Sequence, residues 1–398
     1  MPEWTAMFNL DALRSDGWHP TPFTEFILKI HSRCDLSCRY CYVYEMADDS
    51  WRAQPKKMSR ETIDHIAARI SEHARDHSLN AVQVILHGGE PLLAGAELIE
   101  YAVQKIRRST SARVDFDIQT NGVLLHTNYL KLFDFLDIHV SVSLDGDKDA
   151  HDRYRRRANG EGSHAAVVKG LDALTTEQFR HLFNGLICTI DPRNDPIGTY
   201  EALLQFGPPE IDFLLPHGNW SAPPPGRITG SQETPYGNWL VRIFDHWYGS
   251  PQQGTRVRLF GEIMRLLLGR ASTTELVGLS PIGGIVIETD GSIEQSDILK
   301  SAFQGASLTG LHVSRDSFDT ALSLPSFIAR QIDYHALSDT CRGCEIKRIC
   351  GGGLYAHRYD ADNGFTNPSV YCPDLFRIIS HIREAMRADV AALRRGKS

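Results

Sequence analysis

The chain has 398 residues, with 42 basic and 49 acidic side chains and a net charge of −7. At 42% hydrophobic and 23% charged residues it is of ordinary globular composition, which excludes a disordered, collagen-like or low-complexity chain. The mild acidity supplies no broad phosphate-neutralising face, no apolar run nears the roughly 20 residues that span a bilayer, and residues 1–15 lack a basic stretch followed by an apolar one. No nucleic acid, no membrane and a cytoplasmic location are therefore expected.

Residues 1–22 read as a lead segment. Residues 23–31 (FTEFILKIH) then read as a strand, apolar and ending at a polar loop. Residues 59–77 have helical periodicity, with Ile63, Ile66, Ala67 and Ile70 on one face and Ser59 as N-cap. Strands follow at 81–87, 113–119, 138–144, 181–190 and 211–215, separated by helices at 97–108, 128–135, 164–174 and 197–206. Short loops between alternating strands and helices mean parallel βα units. Six such units make an open doubly wound sheet or an incomplete barrel, and in either case ligands collect at the carboxyl ends of the strands.

Beyond residue 216 the pattern changes. Residues 217–225 (HGNWSAPPP) form a Pro-rich loop headed by His217, Asn219 and Trp220. Helices are expected at 235–247 and 257–268, a hairpin at 284–295 with its turn at Asp290-Gly291, and an amphipathic helix at 375–395. A boundary is placed near residues 220 to 235. The division is 1–22, a barrel at 23–220, a helical linker at 221–280, and a cysteine-bearing region with a C-terminal helix at 281–398.

The 8 cysteines are clustered. Cys188 sits among apolar neighbours in a strand and reads as a small core residue. Cys34-x3-Cys38-x2-Cys41 occupies the loop after the first strand, and Cys341-x2-Cys344-x5-Cys350 with Cys372 lies near the end. Clustered thiols in such a chain bind metal or do redox chemistry more often than they form disulfides. Three thiolates can hold a cubane and leave one iron open, whereas structural zinc takes four ligands, for which His31 is the spare donor. Four thiolates suit either a closed zinc site or a closed iron–sulfur cluster.

The first spacing, with Tyr40 before its last cysteine, resembles the radical S-adenosylmethionine (SAM) superfamily. The resemblance implies a partial (β/α)6 TIM-like barrel and a [4Fe–4S] cluster on Cys34, Cys38 and Cys41. That cluster binds SAM and reduces it to a 5′-deoxyadenosyl radical. Tyr40 is carried over with the cluster loop. Gly88, Gly89 and Glu90 resemble the segment that takes the SAM amino group. Gln119 and Ser143 fall on the family's ribose and carboxylate contacts, and Arg155, in HDRYR, is placed to pair with the SAM carboxylate.

The second group resembles the SPASM extension of radical SAM maturases, whose full pattern has seven cysteines and two auxiliary clusters. Here Ser280, Ser296 and Leu354 stand at three expected cysteines, while Cys341, Cys344, Cys350 and Cys372 remain. The resemblance thus implies one auxiliary [4Fe–4S] cluster and two clusters in all. Asp297 follows Ser296 where some maturases carry a catalytic base, and burial would raise its pKa towards neutrality.

Residues 212–220 (DFLLPHGNW) are similar to a segment of the Fxs-type cyclophane synthases. That similarity implies abstraction of a side-chain Cβ hydrogen in a ribosomal precursor peptide and C–C bonding to an aromatic ring. It implies an electron donor such as flavodoxin or ferredoxin. The alternatives are a sulfatase-type, formylglycine-forming or other SPASM maturase, and a zinc-binding interaction module. With no separate peptide-recognition domain expected, a precursor could add as a strand to the 284–295 hairpin.

Overall fold

The computed structural model describes residues 9–251 and 254–395; residues 1–8 of the lead segment lie outside the described part. Six strands follow one another in a parallel array: β1 (Glu25–His31), β2 (Ala81–Gly88), β3 (Arg113–Thr120), β4 (Ile138–Ser143), β5 (Phe183–Thr189) and β6 (Glu210–Leu214). Each lies within two residues of its predicted bounds. The α/β class and the six-unit barrel architecture are those expected.

Alternation along the strands explains the layering. Phe26, Leu28 and Ile30 of β1 and Val82, Val84 and Leu86 of β2 are buried in the core. The intervening Glu25, Gln83 and Asp117, with Ser141, Asn184 and Glu210, line a polar space on the other face. One face of the sheet therefore carries the helices, and the other encloses a polar lumen. The helix Arg60–Asp76 lays Ile63, Ile66, Ala67 and Ile70 on the core, and the Ser59 hydroxyl accepts from the Thr62 N–H at 2.9 Å as its cap. Cys188 is buried in β5, as its neighbours imply.

Three features go beyond the sequence reading. A helix at Lys148–Tyr154 carries the HDRYR segment. A two-residue strand β7 (Arg256–Val257) adds to β6. The hairpin, β8 (Gly284–Ile287) and β9 (Ser292–Glu294), does not stand apart from the barrel. β8 pairs parallel with β1, and a further strand β10 (Leu308–His312) covers β9. The sheet thus has ten strands in the order β10-β9-β8-β1-β2-β3-β4-β5-β6-β7. The expectation of the hairpin as an open edge is corrected: both its strands are paired on both sides, and β10 is the edge. The helix Cys372–Arg395 buries Ile378, Ile379 and Ile382. Its start meets the helix Pro235–Tyr248, with the rings of Tyr371 and Tyr236 5.1 Å apart. Among the described residues no helix is long and apolar enough to cross a membrane.

Candidate active site

A cavity opens at the carboxyl ends of the strands. It is lined by Cys34, Cys38, Tyr40 and Cys41 after β1, Gly88 and Gly89 after β2, Gln119 in β3, Ser143 in β4 and Arg155. The sequence reading thus brought together residues from five segments. It missed Tyr42, His87, Asn121 and Thr189, which line the same cavity. The segment Leu214–His217 closes one side.

Backbone contacts hold the cysteine loop against β2. The N–H of Gly89 donates to His31 O at 2.8 Å and that of Glu90 to Arg33 O at 3.0 Å. A Cβ on Gly88 would run into His31 O, and one on Gly89 would lie 2.5 Å from Arg33 O. The two glycines are needed for this approach as well as for the cavity wall. On the far side, Ser37 N–H donates to Arg156 O at 2.7 Å, tying the loop to the segment that carries Arg155. His31, the spare zinc donor, turns its Nδ1 to the backbone of Arg33 instead.

Glu90 does not line the cavity. Its carboxylate is fully buried and accepts from the Thr120 hydroxyl at 2.7 Å and the N–H groups of Asn121 at 2.8 Å and Leu92 at 3.0 Å. Asn121 in turn donates its side-chain amide to Asp35 Oδ1 at 2.7 Å. Glu90, which the resemblance assigns to SAM, thus directs its carboxylate to linking the ends of β2 and β3 to the cysteine loop. Burial pushes its pKa up to about 7 against those three hydrogen bonds. Glu90→Ala leaves two buried N–H groups without acceptors and is expected to cost about 2–4 kcal/mol in chemical denaturation. An unchanged midpoint would show that the carboxylate braces nothing.

Tyr40 and Arg155 form one unit with Asp145. The Tyr40 hydroxyl donates to Asp145 Oδ2, Arg155 Nη1 donates to the Tyr40 oxygen at 2.9 Å, and Thr189 N–H donates to Asp145 Oδ1 at 3.0 Å. Arg155 Nε is buried with no partner among the described residues, so the guanidinium keeps donor capacity at the cavity.

Asp297 lies behind the cavity wall. Lys29 Nζ, nearly inaccessible, sits 2.8 Å from Asp297 Oδ2, Tyr42 donates to the same oxygen at 3.0 Å, and His87 Nδ1 is 3.9 Å away. A raised Asp297 pKa would have favoured the role of base. Burial does push it up, but Lys29, His87 and Lys300 outweigh burial and hold the carboxyl well below the usual range. Burial lowers His87 and His217 to about 4, so both are neutral at pH 7. The His217 ring packs edge-on to Tyr42 at 4.7 Å.

A second pocket adjoins the cavity, sharing Tyr40, Thr189, Pro216 and His217, and is walled by Met46, Tyr154, Tyr236 and Pro223–Pro225. The Pro-rich loop thus faces this pocket. Asn219 and Trp220 instead pack inward, donating to Ser301 O at 3.0 Å and Pro368 O at 2.7 Å.

The other four cysteines converge from the helices Asp339–Gly343 and Lys347–Cys350, the three-residue link between them, which holds Cys344, and the start of Cys372–Arg395. Burial, then the neighbouring thiols, push Cys350 up to about 12 and Cys372 up to about 11. Burial likewise raises Cys38 to about 11, with Cys41 adding to it and Arg155 opposing. Thiols crowded in this way ionise only with a positive partner at hand. Among the described residues, the one set of three potential ligands drawn within 4.8 Å of each other is His73, His77 and Asp319.

Residues 28–201 match the family model described as the Radical SAM superfamily. The chain is 25% identical over 361 residues to the cysteine-type anaerobic sulfatase-maturating enzyme of Clostridium perfringens, covering 88% of this chain and 94% of that one. It is 22% identical over 392 residues to the serine-type enzyme of Bacteroides thetaiotaomicron, covering 92% and 90%. Among solved structures, anSMEcpe with bound AdoMet superposes with a TM-score of 0.76 at 19% identity, covering 93% of this chain and all of that one. Streptococcus suis SuiB bound to precursor peptide SuiA superposes with a TM-score of 0.59 at 14% identity, covering 91% and 78%. The cysteine loop, the barrel that presents it and the match over residues 28–201 agree: this chain is an enzyme, and its residues 28–201 match the Radical SAM superfamily.

Proposed function

We propose that this enzyme matures a ribosomally made precursor peptide by joining the Cβ of one side chain to an aromatic ring. Cys34, Cys38 and Cys41 would hold the [4Fe–4S] cluster, and Gly88, Gly89, Gln119, Ser143 and Arg155 would hold SAM beside it. Bound and reduced, that pair supplies a radical able to take a hydrogen atom from carbon. The chain's own residues then have three tasks. Arg155, steered by Tyr40 and Asp145, offers donors to a carboxylate. Leu214, Leu215 and Pro216 exclude water from the reacting carbon. Asp297, held ionised by Lys29, fixes the Tyr42 hydroxyl at the wall. Closing the crosslink also releases an electron and a proton from the ring. A cluster on Cys341, Cys344, Cys350 and Cys372 would supply the electron acceptor, and the ionised Asp297 carboxylate the proton acceptor.

The observation that carries this reading is that Leu214–His217, the stretch similar to cyclophane synthases, lines the cavity and leads into the Pro-walled pocket. A peptide substrate is supported by relatives solved with peptides: anSMEcpe with Cp18Cys peptide and SuiB with SuiA. The sulfatase-maturating relatives support a second reading, formylglycine formation. Co-expression with a small peptide encoded beside this gene, followed by tandem mass spectrometry, separates the two. A crosslink removes two hydrogens and protects the bonds between the joined residues from fragmentation. An aldehyde that reacts with a hydrazide probe would replace the first reading with the second.

A further inference from the structure

Cys350 ends its short helix and is followed by Gly351, Gly352 and Gly353, all at positive φ of 61°, 81° and 71°. Only glycine holds three such residues in succession at low cost. The turn brings Gly351 against the preceding strand connection, where a Cβ would collide with Gly278 O, and Gly278 N–H donates to Ile349 O at 2.8 Å.

Arg358 grips this turn. Its Nη2 donates to Gly351 O and Gly353 O, both at 2.6 Å, and its Nε donates to Gly353 O at 3.1 Å. A second guanidinium, on Arg330, stands on the same aromatic ring: Arg358 Cζ is 5.7 Å and Arg330 Cζ 5.8 Å from the centre of Tyr355. Both arginines line one small polar cavity together with Gly278, Ser280, Gly351 and Tyr355. Ser280 is one of the three positions where a cysteine of a further cluster would stand.

The charges here do not balance. Arg330 is bonded to Glu275, but its side chain is 4% exposed and its Nη1 is buried without a partner. Arg358 has no carboxylate within ion-pair distance among the described residues. Of the other arginines near the four cysteines, Arg227 is matched by Asp374 at 3.4 Å, Arg342 by Asp339 and Arg383 by Glu345 at 3.6 Å, while Arg348 is exposed to water. Arg358 is only partly buried, yet its partners are neutral carbonyls, so its charge is left to act on any negative group that lies near. The groups within electrostatic reach of Arg358 that can carry a negative charge are the sulfurs of Cys341 and Cys350 and the Tyr355 phenol, of which only the sulfurs would be ionised as metal ligands at neutral pH.

We propose that Arg358, backed by Arg330, is the fixed counter-charge of an iron–sulfur cluster on Cys341, Cys344, Cys350 and Cys372, and that this positive pair raises the cluster's reduction potential. The proposal rests on the reading of the four cysteines as a cluster site. Positive charge beside a cluster favours its reduced, more negative form. The space that lacks a further set of thiolates would thus make the remaining cluster a better acceptor for an electron leaving the product.

The test is a redox titration of the reconstituted full-length enzyme followed by electron paramagnetic resonance. The reduced-cluster signal that does not change on adding SAM belongs to the four-cysteine site. Arg358→Gln is expected to move its midpoint to more negative potential, Arg330→Gln to move it the same way by less, and Arg358→Lys to leave it near wild type. An unmoved midpoint in Arg358→Gln overturns the proposal. So do equal shifts in the Lys and Gln variants, which would assign the effect to the glycine turn rather than to charge. Should Arg358→Gln fail to load iron, the Arg330→Gln shift decides alone, supporting the proposal if negative and overturning it if absent. Wild-type protein with about four irons and no SAM-insensitive signal would instead refute the cluster reading itself, and the proposal with it.

Discussion

Enzyme in which Cys34, Cys38 and Cys41 are all alanine is expected to hold about four irons per chain in place of about eight, and to return its precursor peptide unmodified. The expectation follows from the site's construction. The three thiols share one short loop and all face the same cavity, and His31 Nδ1 is engaged with the backbone of Arg33. The loop itself is braced independently of the metal, through Gly89, Glu90 and Asn121 on one side and Arg156 on the other. The variant should therefore fold and keep its four-cysteine site, so that iron content separates loss of one cluster from loss of structure. Product formed by this variant would refute radical chemistry at the loop; an unchanged iron count would refute the ligand set.

Lys29→Met is expected to destabilise the protein by about 3–5 kcal/mol, a large share of the 5–15 kcal/mol typical of folded domains. Lys29 and Asp297 are 2% and 8% exposed at their side chains and meet at 2.8 Å. Removing the ammonium leaves the carboxylate with the Tyr42 hydroxyl at 3.0 Å, neutral His87 at 3.9 Å and the more distant charge of Lys300. Removing both charges, as in Lys29→Met with Asp297→Leu, should restore much of the loss, and a double-mutant cycle in denaturant measures the difference. The pH dependence has a definite sign. Because the folded-state pKa of Asp297 is depressed, the pair's contribution is fully present above the carboxylate's unfolded value and is lost as the pH falls through the folded one. Single and double variants of equal stability would show that the pair holds nothing together.

The two sites differ in how much of them could be read in advance. Cys34, Cys38 and Cys41 are seven residues from first to last, and a loop that short must bring its thiols together whatever surrounds it. The strand ends were legible for a related reason: parallel βα units put every β-to-α loop on one side, so Gly88, Gln119 and Ser143 had to share a rim with the cysteines. Glu90 shows the limit. Its neighbours in sequence point into the cavity, but its own carboxylate turns back to three donors on β3 and the residue two along. Nothing in a Gly-Gly-Glu run encodes that choice, which depends on which donors another strand leaves unpaired.

Asp297 and the hairpin show the same limit at longer range. An inward-facing lysine in the otherwise apolar β1 was a sign that a buried carboxylate must exist, since lysine is almost never fully buried unpaired. Its partner lies 268 residues away, and only the pairing of β8 with β1 brings the two together. That pairing also moved the hairpin from the edge of the sheet to its interior.

The sequence by itself determined the barrel, its six-unit order, the cysteine loop and the rim of residues around it, because periodicity, short loops and close spacing act over a few residues at a time. The tertiary structure alone decided the charge of Asp297, the bracing role of Glu90, the placing of two arginines beside the four-cysteine site, and the joining of the C-terminal strands to β1. Each of these depends on which groups are buried together across long stretches of chain, and burial sets the strength of every charge interaction it encloses.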